Sequence, residues 1–178
     1  MRLFVGIPLP DDVRARLGEL KGGLQGARWV KPENLHLSLR FIGEVPGGGE
    51  TDIDEALATI EAPGFPLALS ELGFFDRRGR VHAVWAGVGM SEPLMRLRAK
   101  VEHALVHLGH EPEHRKFKPH VTLARMKRGS ASEVGHYLEA LNGFSAGPFD
   151  VGCFTLYRSH LGQGGAHYEA LADYELES

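Results

Sequence analysis

An α+β fold built on mostly antiparallel sheet is predicted by three features of this sequence. Strand-like and helix-like stretches are interleaved along it, several strands come as hairpin pairs, and the glycine-rich phosphate loops of doubly wound parallel sheets are missing. A His–apolar–hydroxyl–Leu pattern is also written twice, in "NLHLSLRFIGE" and "KPHVTLAR", at similar places in the two halves. The doubling suggests a two-lobe pseudo-repeat, although the halves share little other sequence.

The elements follow from apolar spacing and punctuation. Residues 2–7 read as a first strand that ends in a Pro-bounded turn. Val13, Leu17 and Leu20 have helical spacing, with Asp11 or Asp12 as the expected cap and Gly22, Gly23 and Gly26 as the stop. A turn at Lys31–Asn34 leads into a strand over 35–42, and Thr51 or Asp52 is the expected cap of a helix over 53–60. Residues 66–75 and 81–89 form a hairpin around the basic turn "DRRGR". Pro93 followed by Leu94, Leu97, Val101, Leu105 and Leu108 marks the clearest helix, with Gly109 at its end. A strand over 119–126 comes next, then a helix from Ser130 or Ser132 to Leu141. Two final strands, 148–158 and 166–176, flank the turn "LGQGG".

Length and composition bound the function. The 178 residues suffice for one sizeable domain or two small lobes sharing a core, and apolar and charged contents of 43% and 24% are those of a soluble protein. No apolar run is long enough to cross a membrane, and "MRLFVGIPLPDDV" lacks the pattern of a secretory signal. The lone Cys153 cannot form an intramolecular disulfide, which points to a reducing, cytoplasmic setting; in its strand-like run it reads as a packed thiol. A net charge of −3 disfavours coating of duplex nucleic acid. The charge is uneven, however: Arg115 to Arg128 holds six Lys or Arg and no acid. That local basicity suits one or two phosphates.

On a strand, side chains two apart share a face. Strict alternation aims His36, Ser38 and Arg40 one way, with Leu37, Leu39 and Phe41 toward the core. In the second copy His120, Thr122 and Ala124 oppose Val121 and Leu123. Two such strands side by side would offer two imidazoles and two hydroxyls to one small ligand. That set suits phosphodiester cleavage without a metal. One imidazole takes a proton from water while the other protonates the departing oxygen, and a histidine pKa of about 6.5 makes both forms accessible. The hydroxyls and an Arg can hold the non-bridging oxygens.

The remaining histidines are read as structural or exposed. His103 and His107 have the i, i+4 spacing of a zinc pair, but no third ligand is fixed nearby, so no metal and no cofactor are expected. Trp29 reads as core.

These residues resemble the 2′-5′ RNA ligase family, better described as RNA 2′,3′-cyclic phosphodiesterases within the 2H phosphoesterases. "RWVKPENLHLSLRFIGE" and "KPHVTLAR" are similar to its two motif regions, "MRLFVGIPLP" to its opening strand and "LYRSHLGQGGAHYEAL" to its closing hairpin. The resemblance covers nearly the whole chain, and it implies a single bilobal domain over 1–178. Its lobes would be related by a pseudo-twofold, with antiparallel sheet inside, helices outside and a central cleft. It implies hydrolysis of a terminal 2′,3′-cyclic phosphate to a 2′-phosphate, with His36 and His120 catalytic and Ser38 and Thr122 as their hydroxyl partners. The resemblance makes His120 the base for water and His36 the acid, and matches Arg125 to a phosphate-contacting Arg. Ser38 stands where the family often has Thr. The odd number of Arg125 aims it away from His120 unless a bulge or twist intervenes; Arg40, with the better parity, is the second choice for a phosphate contact.

The expected partner is an RNA 3′ end or a nucleotide bearing a 2′,3′-cyclic phosphate; no membrane partner is expected, and the chain is expected to be a monomer. Run backwards, the same site would join a 5′-hydroxyl to the cyclic phosphate in a 2′-5′ linkage. Two rival readings are a phosphodiesterase for small nucleotides or 2′,5′-oligonucleotides, and a non-catalytic module that binds nucleotides or RNA ends. Binding alone needs no acid–base pair.

Overall fold

The computed structural model describes all 178 residues and is α+β. In chain order the elements are β1 (Arg2–Pro8), α1 (Asp11–Gly18), β2 (Arg28–Trp29), β3 (His36–Glu44), α2 (Gly49–Ala58), β4 (Phe65–Arg77), β5 (Arg80–Val88), α3 (Glu92–His107), β6 (His120–Ser130), α4 (Ala131–Ala140), β7 (Ala146–Val151), β8 (Cys153–Gly162) and β9 (Gly165–Glu175). No helix is long and apolar enough to cross a membrane.

Local chemistry explains most boundaries. Ser91 caps α3 by accepting from the Leu94 amide, with Pro93 in the first turn, and Gly109 takes φ +103° after its end. Ser130 caps α4 in the same way through the Glu133 amide. Three expectations need correction. Pro10, not an aspartate, precedes α1, and Asp11 and Asp12 lie inside its first turn. Gly48, at φ 93°, precedes α2, which therefore starts before Thr51. The segment expected as one strand over 148–158 is two, β7 and β8, divided at Gly152.

The strands join in one sheet of order β7-β4-β5-β6-β3-β1-β8-β9, with β2 beside β6, and every pairing between named strands is antiparallel. It consists of two wings, β3-β1-β8-β9 and β6-β5-β4-β7, that meet through one residue pair, Leu37 with Val121. The wings are not the two halves of the sequence. α1 follows β1 but packs on β7 of the other wing, and α3 follows β5 but packs on β3 and α2. α1 and α3 thus cross between wings and interlock them. A core of 37 buried residues runs through both, including Leu37, Leu39, Val121 and Leu123 of the motif strands and Leu94, Leu97, Val101 and Leu105 of α3. This apolar side fixes the motif strands and leaves their histidine side free.

Candidate active site

The Leu37–Val121 pair sets the geometry of the site. Carried one residue either way, an antiparallel register puts His36 opposite Thr122 and Ser38 opposite His120. Each histidine thus takes its place on the strand across from the hydroxyl residue of the other motif, while the His36 ring itself reaches the Ser38 hydroxyl of its own. The two histidines become diagonal neighbours, and such positions lie roughly 7–8 Å apart. His36, Ser38, His120, Thr122 and Arg125 all line one cleft of about 400 Å³. Five of the six site residues expected from sequence therefore come together.

Arg40 does not. β1 pairs Val5 with Arg40 and Gly6 with Ser38, so Leu39 is an unpaired extra residue. Such a bulge reverses the facing of the residues after it. Arg40 is turned to the helix side and buried, where its Nε lies 2.9 Å from Glu102 Oε2 and its Nη1 donates to the Phe41 carbonyl at 2.6 Å. It also donates to the Glu111 carbonyl. Arg40 is a structural clamp between α3 and the loop before β6. Burial disfavours the Glu102 charge, but hydrogen bonds from Arg40 and the Glu113 amide, with Arg98 alongside, hold its carboxyl below the ordinary range.

The same bulge recurs on β6, where Val84 pairs with Ala124 and Trp85 with Thr122, leaving Leu123 extra. It turns Ala124 inward and Arg125 into the cleft, which removes the parity objection to Arg125. Phe41 and Arg125 hold equivalent places, each five residues after its histidine. Phe41 accordingly lines the cleft and is 45% exposed, against the expectation that it faced the core. Arg2 stands over its ring, 5.4 Å from the centroid.

The histidines are held alike. His36 Nδ1 is 2.7 Å from the Asn34 carbonyl oxygen, and His120 Nδ1 is 2.7 Å from that of Lys118. A carbonyl only accepts, so each Nδ1 carries its proton and each Nε2 is the working nitrogen. His36 Nε2 lies 2.9 Å from the Ser38 hydroxyl, which donates to it in this tautomer. His36 is packed among Phe4, Tyr157 and Tyr168, with ring centroids 4.8, 5.9 and 5.2 Å away. Gly6 makes that packing feasible, because a Cβ there would lie 3.0 Å from the Leu37 carbonyl oxygen and 3.3 Å from the His36 ring. His120 meets the ring of Phe75 edge-on at 4.9 Å and Trp85 at 6.1 Å. Lys118 stands 4.5 Å above Trp85.

Burial pushes both imidazoles below the ordinary 6.5. The backbone hydrogen bond opposes the shift at each, and the charge of Arg125 adds to it; His36 also feels His120, and His120 feels Lys118. The cleft is thus set for two neutral imidazoles at neutral pH, and a bound phosphate anion would favour a proton on one of them.

Sequence reasoning left out the far wall. Arg2, Phe4, Asn34, Ser159, Leu161 and Tyr168 also line the cleft. Asn34 Nδ2 donates to the Ala166 carbonyl at 2.8 Å and so ties the β8–β9 hairpin beside His36. This wall depends on β1–β8 and β8–β9 pairings between distant segments, for which no local spacing is a signal. Trp29 packs against the core, 6.0 Å from Tyr137. Cys153 is half-buried on β8, with burial raising its thiol pKa. His103 and His107 are exposed on α3, their rings 6.4 Å apart.

Comparison with known proteins gives concordant results. The family described as "LigT like Phosphoesterase" matches residues 7–85 and 88–168, so that each matched stretch contains one histidine motif. An RNA 2′,3′-cyclic phosphodiesterase of Archaeoglobus fulgidus is 34% identical over 179 residues, covering 98% of this chain and 100% of its own length. A Geobacillus stearothermophilus protein of the same name is 32% identical over 97% of this chain, which spans 56% of that longer relative. The crystal structure of E. coli LigT complexed with 3′-AMP superposes with a TM-score of 0.76 at 28% identity, covering 99% of this chain and 98% of the other.

Proposed function

The chain belongs to the LigT-like phosphoesterase family, and on that premise we propose that it is an RNA 2′,3′-cyclic phosphodiesterase working by two-histidine acid–base catalysis without a metal. One observation carries this reading. Two imidazoles from different motifs line one cleft with two hydroxyls and Arg125, each with its Nδ1 held by a carbonyl and its Nε2 left for proton transfer, that of His36 accepting from the Ser38 hydroxyl at 2.9 Å.

The cyclic phosphate sits between the two rings. Ser38 and Thr122 donate to its non-bridging oxygens, and Arg125 offsets the charge that builds on them in the transition state. His120, on the more open side, takes a proton from the attacking water. The new P–O bond forms as the bond from phosphorus to the ribose 3′-oxygen breaks, and His36 gives that oxygen its proton. A 2′-phosphate and a free 3′-hydroxyl result. His120 ends protonated and His36 neutral, and exchange with solvent restores both. Phe41 offers an aromatic face at the cleft edge for the terminal base. The reverse of the same steps would form a 2′-5′ linkage, with abundant water favouring hydrolysis.

The two motifs lie on opposite wings, so the whole chain acts as one catalytic unit. It needs no second copy, and we place it in the cytoplasm as a monomer acting on RNA ends. The test is incubation of a short RNA bearing a 2′,3′-cyclic end, with chelator present. Accumulation of the 2′-phosphate product supports the proposal. Tight binding without turnover would make the protein an RNA-end-binding module, and turnover abolished by chelator would overturn the metal-free mechanism.

A further inference from the structure

A second concavity, of about 570 Å³, opens where the β4–β5 hairpin meets the end of β6. It is lined by Arg77, Arg78, Arg80, His82, Lys127 and Arg128, with no acidic side chain among them. None of the five Arg and Lys side chains has a carboxylate partner within 4.0 Å, in a chain whose net charge is −3. Like charges held together without counter-charges repel, so this cluster is unfavourable to the fold on its own.

The hairpin tip has two further features. His82 Nδ1 is buried yet has no hydrogen-bond partner. Arg78 adopts φ 53°, the left-handed region that favours Gly or Asn, so the tight turn keeps a cation where a smaller residue would be less strained.

The concavity and the cleft share no lining residue, but aromatic packing links them. A bulge at His82, unpaired between Val81 and Ala83, turns its ring onto Phe75 at 6.3 Å. Phe75 in turn packs edge-on to His120. A path of cations and rings therefore runs from Arg125 and Lys118, past the half-buried Phe75 with Trp85 buried beneath it, to the hairpin tip. Basic side chains tracking a strand, with an accessible ring such as Phe75 among them, are how proteins hold single-stranded nucleic acid. From His120 to Arg128 a strand rises about 26 Å, further than a terminal nucleotide reaches.

We propose that this basic concavity binds phosphates of the RNA strand upstream of the end held in the cleft, making the protein selective for oligonucleotides over cyclic mononucleotides. The proposal rests on the reading of the cleft given above for its polarity, with the strand leaving 5′-ward over β5 and β6.

The test compares the wild type with a triple variant, Arg78→Asn, Arg80→Thr and Lys127→Thr, chosen to suit the local backbone. Hydrolysis is measured on an eight-nucleotide RNA with a 2′,3′-cyclic end and on cytidine 2′,3′-cyclic phosphate. Binding of the same RNA carrying a 3′-phosphate is followed by anisotropy across a salt series. The expected result is at least a tenfold loss in kcat/KM for the RNA with the mononucleotide within twofold, and a salt slope shallower by about 2, at roughly 0.7 for each phosphate no longer neutralised. Equal losses on both substrates, or an unchanged slope, would overturn the proposal. A wild type that hydrolyses neither substrate would sink the reading of the cleft, while the anisotropy slopes still decide the concavity; binding lost for an acidic peptide but not for RNA would also overturn it.

Discussion

Leu37 and Val121 are the one residue pair that joins the two wings of the sheet, and each directly follows a cleft histidine. Their pairing puts both apolar side chains in the common core and leaves both imidazoles on the other side. Core packing and site assembly are thus one event: the contact that closes the fold also brings together two histidines remote in sequence.

Replacing either imidazole should be costly to the chemistry. His36→Ala and His120→Ala are each expected to lower kcat by at least ~10², the usual worth of a general acid or base. The double variant should lose less than the product of the two, because the groups act as a unit. Rapid-quench measurement of the chemical step decides this, and a loss of tenfold or less in both single variants would remove them from the reaction.

Thr122→Val keeps volume and removes only the hydroxyl, and Ser38→Ala does nearly the same. A hydrogen bond to a charged group is worth about 1.5–3 kcal/mol, so each variant should lose about ten- to a hundredfold in kcat/KM. Circular dichroism should be unchanged. Wild-type kinetics in both would put the hydroxyls outside the phosphate site.

Arg40 and Arg125 should fail in opposite ways. Arg40 is 6% exposed and paired with Glu102, which is 17% exposed. Arg40→Leu leaves that carboxylate buried with Arg98 as its remaining cation, at a cost of about 3 kcal/mol of stability. Activity per folded molecule should persist. Arg125→Ala should leave the melting temperature within error and lower kcat/KM at least tenfold. Thermal melts set beside kinetics separate the two, and a catalytic loss at unchanged stability for Arg40 would reverse their assignment.

How much of the molecule is legible in the sequence depends on the range of the forces involved. The His36 and His120 motifs can be read because period-2 alternation is local, and it holds as far as Ser38 and Thr122. Reading further along the strands fails for Arg40 and Phe41, because the bulges at Leu39 and Leu123 are set by the neighbouring strands β1 and β5. The helices are legible from their spacing, but the crossing of α1 and α3 between wings is not, since an apolar stripe does not name its partner. Tyr168 and Ala166 reach the cleft only through the closing hairpin, a long-range pairing. Gly6 carries a usable signal: a glycine inside an otherwise apolar strand marks a close approach, here that of the His36 ring.

The lowered histidine pKa values give a last prediction with a definite sign. Free enzyme is described by kcat/KM, and its profile should be a bell reporting the macroscopic values of the pair. Burial moves both groups below 6.5, so the kcat/KM optimum should lie on the acid side of 6.5. The bound phosphate anion favours protonated imidazole, so the kcat optimum should lie at higher pH. Stability follows the same linkage. Both groups bind protons more weakly in the folded chain than in the unfolded one, so their contribution is fully present above about pH 6.5. It drains as pH falls from there through the lowered folded values. Melting temperature should therefore drop between about pH 7 and pH 5, and less so with a nucleotide 2′-phosphate bound. The His36→Gln, His120→Gln double variant should lose most of that dependence. A wild-type melting temperature that is flat across this range, or that rises on acidification, would contradict the buried, neutral state assigned to the two rings.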